Sequence, residues 1–174
     1  IQKGGARFDY EKAKWVNQQQ LQRMSLEEIY SLSRVKELLS TFEKNKHLSL
    51  IKLVKARLTT LDDIKNELAF VKNRHPYDEK VIAKIEDKNP KTVLEQIKKT
   101  LIKDDDIDLF KEQMISWSKK NEVSMGLLMQ SFRIALVGRL RGPDIFEVCS
   151  VLGKKVSLER INDLIEHLNF KQIL

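Results

Sequence analysis

The residues with the clearest capacity for chemistry are three arginines that lie close together in the sequence. Arg133, Arg139 and Arg141 fall within one short stretch, and no acidic residue follows them before Asp144. A guanidinium is planar, permanently charged and rich in N–H donors, so it can pair with phosphate groups or with the edges of bases. The spacing therefore predicts a binding site for a polyanion, or for bases that need planar donors.

Two helices must hold these arginines in place. Ser124 is a typical cap for a helix over Met125–Val137, which carries an apolar stripe of helical period. Gly138 and Gly142 loosen the backbone that follows this helix. Pro143 is predicted at the first position of the next helix. The sequence thus predicts a helix, a short basic loop and a second helix.

Catalytic and metal-binding patterns are not evident in the sequence. His47, His75 and His167 do not form a pair at ligand spacing, and Cys149 is the single cysteine. The acidic run 104–108 lacks the glycine and the closing glutamate of a calcium loop, which favours helix capping. Phosphate loops, dinucleotide fingerprints and nucleophile elbows are also missing. We therefore expect binding chemistry, with no catalytic residue, metal or cofactor in this chain.

Composition narrows the class of protein. The 174 residues are 41% hydrophobic with six glycines and three prolines, which is typical of a folded, helix-rich chain. The net charge of +7 fits an anionic partner, and biased composition alone is the alternative explanation. One cysteine predicts a reducing compartment, and no apolar run approaches the roughly 20 residues of a membrane span. The first residue, Ile1, suggests an excised fragment, and no signal peptide is visible.

Helical periodicity continues along the rest of the chain, and no alternating pattern is long enough to predict a strand. The polar stretch 73–89 contains the helix-breaking pair His75-Pro76 and is predicted to be a boundary. The sequence therefore predicts an all-α fold of two helical lobes, residues 1–87 and residues 88–174. Apolar spacing places four large aromatic side chains in the core: Trp15, Phe110, Trp117 and Phe132.

Two motifs resemble a known family. The pattern F-R-x-A-L-x-G-x-x-x-G-P-x-x-F-E-V from Phe132, followed by L-G-K-x-x-x-L-E-R-I from Leu152, is similar to the C-terminal, anticodon-binding end of bacterial glutamyl-tRNA synthetases. Upstream, F-D-Y-E-K-A-K-W-V-N from Phe8 resembles the segment where the chain of these enzymes leaves its catalytic half. The motifs have the expected order and separation, and the resemblance covers nearly the whole chain.

The resemblance implies base contacts at the loop. In the family, an arginine before the loop contacts an anticodon base, and its place in F-R-x-A-L falls on Arg133. Family positions beside the proline also touch bases, and they fall on Gly142, Pro143 and Ile145, with ordinary core packing as the alternative for Ile145. Relatives carry threonine where this chain has Gly142, so a side-chain hydrogen bond from that position is not expected.

Further contacts are expected with phosphates and with one more base. Arg139 and Arg141 are predicted to bind phosphates, because phosphate contacts outnumber base contacts in nucleic-acid complexes. The stretch K-A-R-L-T-T-L resembles the family's R-x-x-T-L segment, whose arginine recognises an anticodon base and falls here on Arg57. In relatives this arginine accompanies the exclusion of glutamine tRNA, and we expect the same discrimination here.

The resemblance also implies what surrounds this chain. The family's catalytic motifs, H-I-G-H and K-M-S-K-S, are missing, so ATP and Mg²⁺ are expected in the catalytic half and the fragment is expected to be inactive alone. The expected partner is the anticodon loop of glutamate tRNA, bound by a cytoplasmic monomer without membrane contact. Two alternatives stay open: a helical interaction module whose basic surplus is incidental, and a regulator derived from a synthetase.

Overall fold

A computed structural model describes residues 9–104 and residues 106–171 of the chain. Helices joined by turns and loops make up these two ranges, and no strand occurs within them. The prediction of an all-α fold is therefore confirmed. Among the described residues, no helix combines the length and the apolar character needed to cross a bilayer. The chain divides into two compact units between Leu68 and Ala69.

Local caps decide where the first helices of the first unit begin. The carboxylate of Asp9 accepts a hydrogen bond from the N–H of Lys12 at 3.0 Å. Ser25 and Glu28 form a capping box, in which each side chain accepts a hydrogen bond from the other residue's N–H. The elements of this unit are α1 (Tyr10–Arg23), α2 (Leu26–Ser31), α3 (Ser33–Leu39), a 3₁₀ turn (Lys44–Lys46), α4 (His47–Lys55) and α5 (Asp63–Glu67).

The core of the first unit lies among α2, α3, α4 and α5, with α2 packed against α4 and α5 packed against both α3 and α4. α1 buries Leu21 but leaves Trp15 60% exposed. The predicted core position of Trp15 is therefore wrong, because α1 contributes only one buried side chain to this unit. The fully buried side chains include Ile29, Val35, Leu39, Leu50, Val54 and Ile64.

The second unit is a bundle built around its last helix, which packs against three others. Phe110, Phe132 and Phe146 meet edge to face in its core, with ring centroids 5.7 to 5.9 Å apart. Phe110 and Phe132 are buried as predicted, whereas Trp117 is only half-buried. The elements are α6 (Ala69–Lys72), α7 (Glu79–Ile82), a 3₁₀ turn (Glu86–Lys88), α8 (Pro90–Lys103), α9 (Ile107–Lys120), α10 (Met125–Val137), α11 (Ile145–Leu152) and α12 (Lys154–Lys171).

The division between the two units lies earlier in the chain than the boundary that the polar composition suggested. Residues 69–87, which the sequence placed with the first lobe, lie in the second unit. Their backbone is bonded there: the His75 N–H donates to the Val137 carbonyl at 3.2 Å, and Arg160 donates to the Phe70 carbonyl at 2.9 Å. A polar, helix-breaking stretch resembles a linker in sequence, but these distant hydrogen bonds attach it to the bundle.

Candidate nucleic-acid interface

The predicted basic loop connects the end of α10 to the start of α11. Ser124 caps α10 as expected, and Gly138 ends it in the left-handed conformation at φ 79°. The start of α11 differs from the prediction. Its cap is Asp144, whose carboxylate accepts hydrogen bonds from the N–H groups of Phe146 and Glu147, so the proline at 143 precedes the cap instead of opening the helix. We call residues 133–144 the arginine corner.

Gly138 lets the arginine corner pack closely against the chain that precedes α7. A Cβ atom at this position would lie 2.2 Å from the carbonyl oxygen of His75, which is closer than atoms can approach. The positive φ independently favours glycine. The corner is therefore supported from behind by the segment around His75, which the sequence indicated only as part of a boundary.

Arg133 is tied to the loop that it precedes. Its Nη1 atom donates a hydrogen bond to the carbonyl oxygen of Pro143 at 2.7 Å. A Cβ atom on Gly142 would lie 3.0 Å from the same Nη1, so the absence of a side chain there leaves room for the guanidinium. The structure thus brings together Arg133, Gly142 and Pro143, as the sequence predicted for a single site.

Exposure separates the predicted contact residues in and beside the corner into two groups. Arg139 and Arg141 are exposed, which suits contacts with phosphates. Pro143 is buried and Ile145 is only 1% exposed. The side chain of Ile145 packs in the core, which is the alternative that the sequence left open for this position, and its base contact stays a prediction.

His75 lies against the arginine corner, at Val137 and Gly138, and the sequence reasoning did not identify it as a neighbour of the site. It is half-buried, and burial together with the positive charge of Arg139 lowers the pKa of its imidazole. The ring therefore favours the neutral form beside an arginine of the loop. The sequence signal was the His75-Pro76 dipeptide, but it indicated only a helix break.

Arg160 is a second residue that the sequence reasoning missed. It is 7% exposed, and Nη1 donates to the carbonyls of Leu136 at 2.6 Å and Phe70 at 2.9 Å, while Nη2 donates to that of Val71 at 3.2 Å. Burial, and the charge of Arg74, lower its pKa. Arg160 thus joins the last turn of α10 to α6. Its place in L-E-R-I on the buried side of α12 was the available signal.

Arg57 lies in the first unit, directly after α4. Its Nε donates to Glu67 Oε2 at 2.5 Å and its Nη2 donates to Glu67 Oε1 at 3.3 Å. The side chain of Arg57 is 38% exposed and that of Glu67 is 25% exposed. The predicted base-reading arginine is therefore accessible, but it is held by an acidic partner that the sequence did not reveal.

The loop that carries Arg57 is fixed by side chains from α1 and α5. Gln22 donates to the Lys55 carbonyl at 2.7 Å, and the amide of Asn17 donates to the Thr59 carbonyl. Asp63 Oδ2 accepts hydrogen bonds from the N–H and hydroxyl of Thr59 at 2.8 and 2.7 Å, and from the Thr60 N–H at 2.7 Å. Arg57 is therefore presented on a well-braced loop, which limits the conformations it must lose on binding.

The carboxylate of Asp63 should stabilise the first unit in a pH-dependent way. Burial raises the pKa of Asp63, but hydrogen bonds from Thr59 and Thr60 outweigh this and lower it below the ordinary value of 3.8. A depressed folded-state pKa gives stability that is complete above the unfolded value and lost as the pH falls through the folded value. We expect Asp63→Asn to reduce the free energy of unfolding at neutral pH, and the difference to shrink below pH 3.8. Urea titrations across a pH series measure it, and a difference independent of pH would contradict the assignment.

These two arrangements suit the binding of phosphates and of base edges. Each presents guanidinium groups on a rigid backbone, which suits phosphates and base edges. Within residues 9–104 and 106–171, no group of three or more histidine, cysteine or acidic side chains is placed to hold a metal ion.

Comparison with known proteins extends this interpretation. Residues 12–165 match the family model described as anticodon binding domain. The glutamate–tRNA ligase of Porphyromonas gingivalis is 32% identical over 173 residues, which are 95% of this chain and 34% of that ligase. The ligase of Flavobacterium johnsoniae is 31% identical over 180 residues, or 97% of this chain and 34% of that protein.

Solved structures of glutamate–tRNA ligases also match this chain. The crystal structure of a glutamate tRNA ligase from Elizabethkingia meningosepticum in complex with its amino acid matches with a TM-score of 0.83 and 35% identity, covering 97% of this chain and 34% of that one. The glutamate-tRNA synthetase of Elizabethkingia anophelis matches with a TM-score of 0.81 and 34% identity, covering 95% and 33%. This chain spans about a third of the length of these relatives. Because the family match extends over most of its residues, the chain belongs to the anticodon binding domain family.

Proposed function

We propose that this chain is the anticodon-reading part of a glutamate–tRNA ligase, which joins glutamate to its tRNA with ATP. The observation that carries the proposal is the arginine corner. There Arg133 is held on the Pro143 carbonyl at 2.7 Å beside the exposed Arg139 and Arg141. An anticodon presents splayed bases on a phosphate backbone, so its reader needs positioned donors for base edges and exposed cations for phosphates. The corner provides both.

The corner residues divide this task according to their environment. Arg133 contacts a base, because its guanidinium is fixed relative to the loop. Gly142 contacts a base through its backbone, and its lack of a side chain leaves room for the guanidinium of Arg133 beside it. Arg139 and Arg141 bind phosphates from the exposed loop. In the first unit, Arg57 reads a further base and contributes to the exclusion of glutamine tRNA.

The proposal extends to partners and setting. The cognate partner is glutamate tRNA, and the protein acts as a monomer in the cytoplasm. ATP and Mg²⁺ bind in a catalytic part of a longer ligase, so this chain alone does not aminoacylate. Aminoacylation assays on the isolated chain test that point directly, and any turnover above a no-enzyme blank would contradict it.

A salt series tests the proposed division between phosphate and base contacts. Each phosphate contact with a single strand adds about 0.7 to the slope of log affinity against log salt. We therefore expect Arg139→Ala with Arg141→Ala to reduce the slope for glutamate tRNA by about 1.4 in filter binding. Failure of the unaltered chain to bind tRNA at low salt would instead favour a helical scaffold without RNA function.

A control pair with the same change of charge is available in the same unit. Lys119 and Lys120 are exposed in the last turn of α9, whereas the corner lies near the first turn of α9, where Phe110 meets Phe146. Replacing both lysines with alanine should leave the salt slope unchanged. An equal reduction by the control pair would mean that net charge, and not the corner, determines binding.

A further inference from the structure

We propose that Glu67 is a positioning residue for Arg57 and that it determines how strictly Arg57 discriminates between anticodons. The inference rests on the proposed function, because it takes Arg57 as a reader of one anticodon base. Glu67 itself would not contact RNA. It would act by fixing the plane and the direction of the Arg57 guanidinium, whose N–H donors form a planar fork.

The contact between the two side chains uses both oxygens of the carboxylate. Arg57 Nε donates to Oε2 at 2.5 Å and Nη2 donates to Oε1 at 3.3 Å. A guanidinium has five N–H donors in one plane, and this pairing takes one from each of two nitrogens. Among the described residues, the Nη1 end of the fork has no hydrogen-bond partner. Since Glu67 is less exposed than Arg57, at 25% against 38%, the acid lies on the inner side of the pair.

Both partners are mounted on one small frame. Arg57 follows the end of α4 and Glu67 is the last residue of α5. The loop between these helices is closed by Asp63, which accepts the three hydrogen bonds from Thr59 and Thr60. The backbone positions of donor and acceptor are therefore fixed relative to each other, so the ion pair orients the guanidinium and not merely neutralises it.

A fixed fork and a free arginine should bind RNA differently. A fixed fork offers its outer donors only in one direction, so a base with acceptors in that direction is favoured and a base with a donor there is rejected. A free arginine can turn toward the nearest phosphate, which carries no sequence information. Loss of Glu67 also removes a negative charge beside the RNA. Discrimination should therefore fall while overall affinity is kept or increased.

The experiment compares two tRNAs on the same set of variants. Dissociation constants of the 174-residue chain for glutamate tRNA and glutamine tRNA are measured by filter binding at one salt concentration. The ratio of interest is the dissociation constant for glutamine tRNA divided by that for glutamate tRNA. We expect Glu67→Gln, which keeps the side-chain volume, to reduce this ratio about tenfold. Arg57→Lys, which keeps the charge but not the fork, should reduce the ratio similarly. Thermal unfolding of each variant verifies that it is folded.

Glu37→Gln is the matched control. Glu37 pairs with Arg34 at 2.9 Å on the same unit, and this substitution removes one negative charge from an exposed arginine pair. The ratio should not change. If the ratio is unchanged in Glu67→Gln but reduced in Arg57→Lys, the proposed role of Glu67 is overturned and that of Arg57 stands. An unchanged ratio in both would reject Arg57 as a discriminating residue, and no tRNA binding by the unaltered chain would reject the proposed function itself.

Discussion

Replacing Arg133 with alanine should weaken binding to glutamate tRNA by about ten- to a hundredfold, because a well-placed arginine contact to a base contributes about 1–3 kcal/mol. The corner gives a reason to expect the upper part of this range. Arg133 Nη1 also holds the Pro143 carbonyl at 2.7 Å, so its loss releases the loop that carries the neighbouring arginines. Filter binding at constant salt measures the change.

The same variant should lose far less affinity for a tRNA with an altered anticodon. That tRNA keeps its phosphates but lacks the cognate base, so it has less to lose when the base contact disappears. Arg133→Lys keeps the positive charge without the planar fork and should behave like alanine on cognate tRNA. Equal losses on both tRNAs, or rescue by lysine, would reduce Arg133 to a phosphate contact.

The second large effect concerns stability and involves no RNA. Arg160→Met should lower the free energy of unfolding of the second unit by about 3 kcal/mol, since a buried carbonyl that loses its donor costs about 1–3 kcal/mol. Three carbonyls lose their donor here, those of Phe70, Val71 and Leu136. Removal of the buried charge offsets part of this loss, because keeping a charge buried costs free energy. The pKa of Arg160, which burial lowers, reflects that cost.

Urea unfolding followed by the fluorescence of Trp117 measures this loss. Trp15, the other tryptophan of the chain, is replaced with phenylalanine in all samples so that the signal comes from the second unit. Arg141→Met is the control: Arg141 belongs to the same unit and is exposed, so its removal leaves no buried carbonyl without a donor. A loss for Arg160→Met no larger than that of the control would show that water satisfies the carbonyls equally well.

Some features of the site followed from short-range sequence signals. α10 begins after Ser124 and ends before Gly138, as predicted, because a cap and a positive-φ glycine depend on residues within one turn. The start of α11 was less well predicted. The proline pattern indicated residue 143 as the first helical position. In the structure the carboxylate of Asp144 accepts hydrogen bonds from the free N–H groups at the helix start, so the helix begins at Ile145.

Exposure was harder to predict than helix position. Ile145 and Trp15 both lie in helical apolar patterns, yet Ile145 is 1% exposed and Trp15 is 60% exposed. Periodicity identifies an apolar face but does not show whether another element covers it. For Ile145 the sequence left two interpretations open, a base contact and core packing, and its burial agrees with the second.

The amino-acid sequence by itself determined the helical class, the limits of α10, the clustering of Arg133, Arg139 and Arg141, and membership of an anticodon-binding family. These depend on periodicity, caps and motifs whose residues are near neighbours in the chain. Only the tertiary structure decided that residues 69–87 join the second unit, that Pro143 is buried and that Glu67 holds Arg57. Each of these depends on residues that become neighbours only when the chain folds, as Arg160 and Phe70 do across 90 positions. Local propensity carries no information about such pairs.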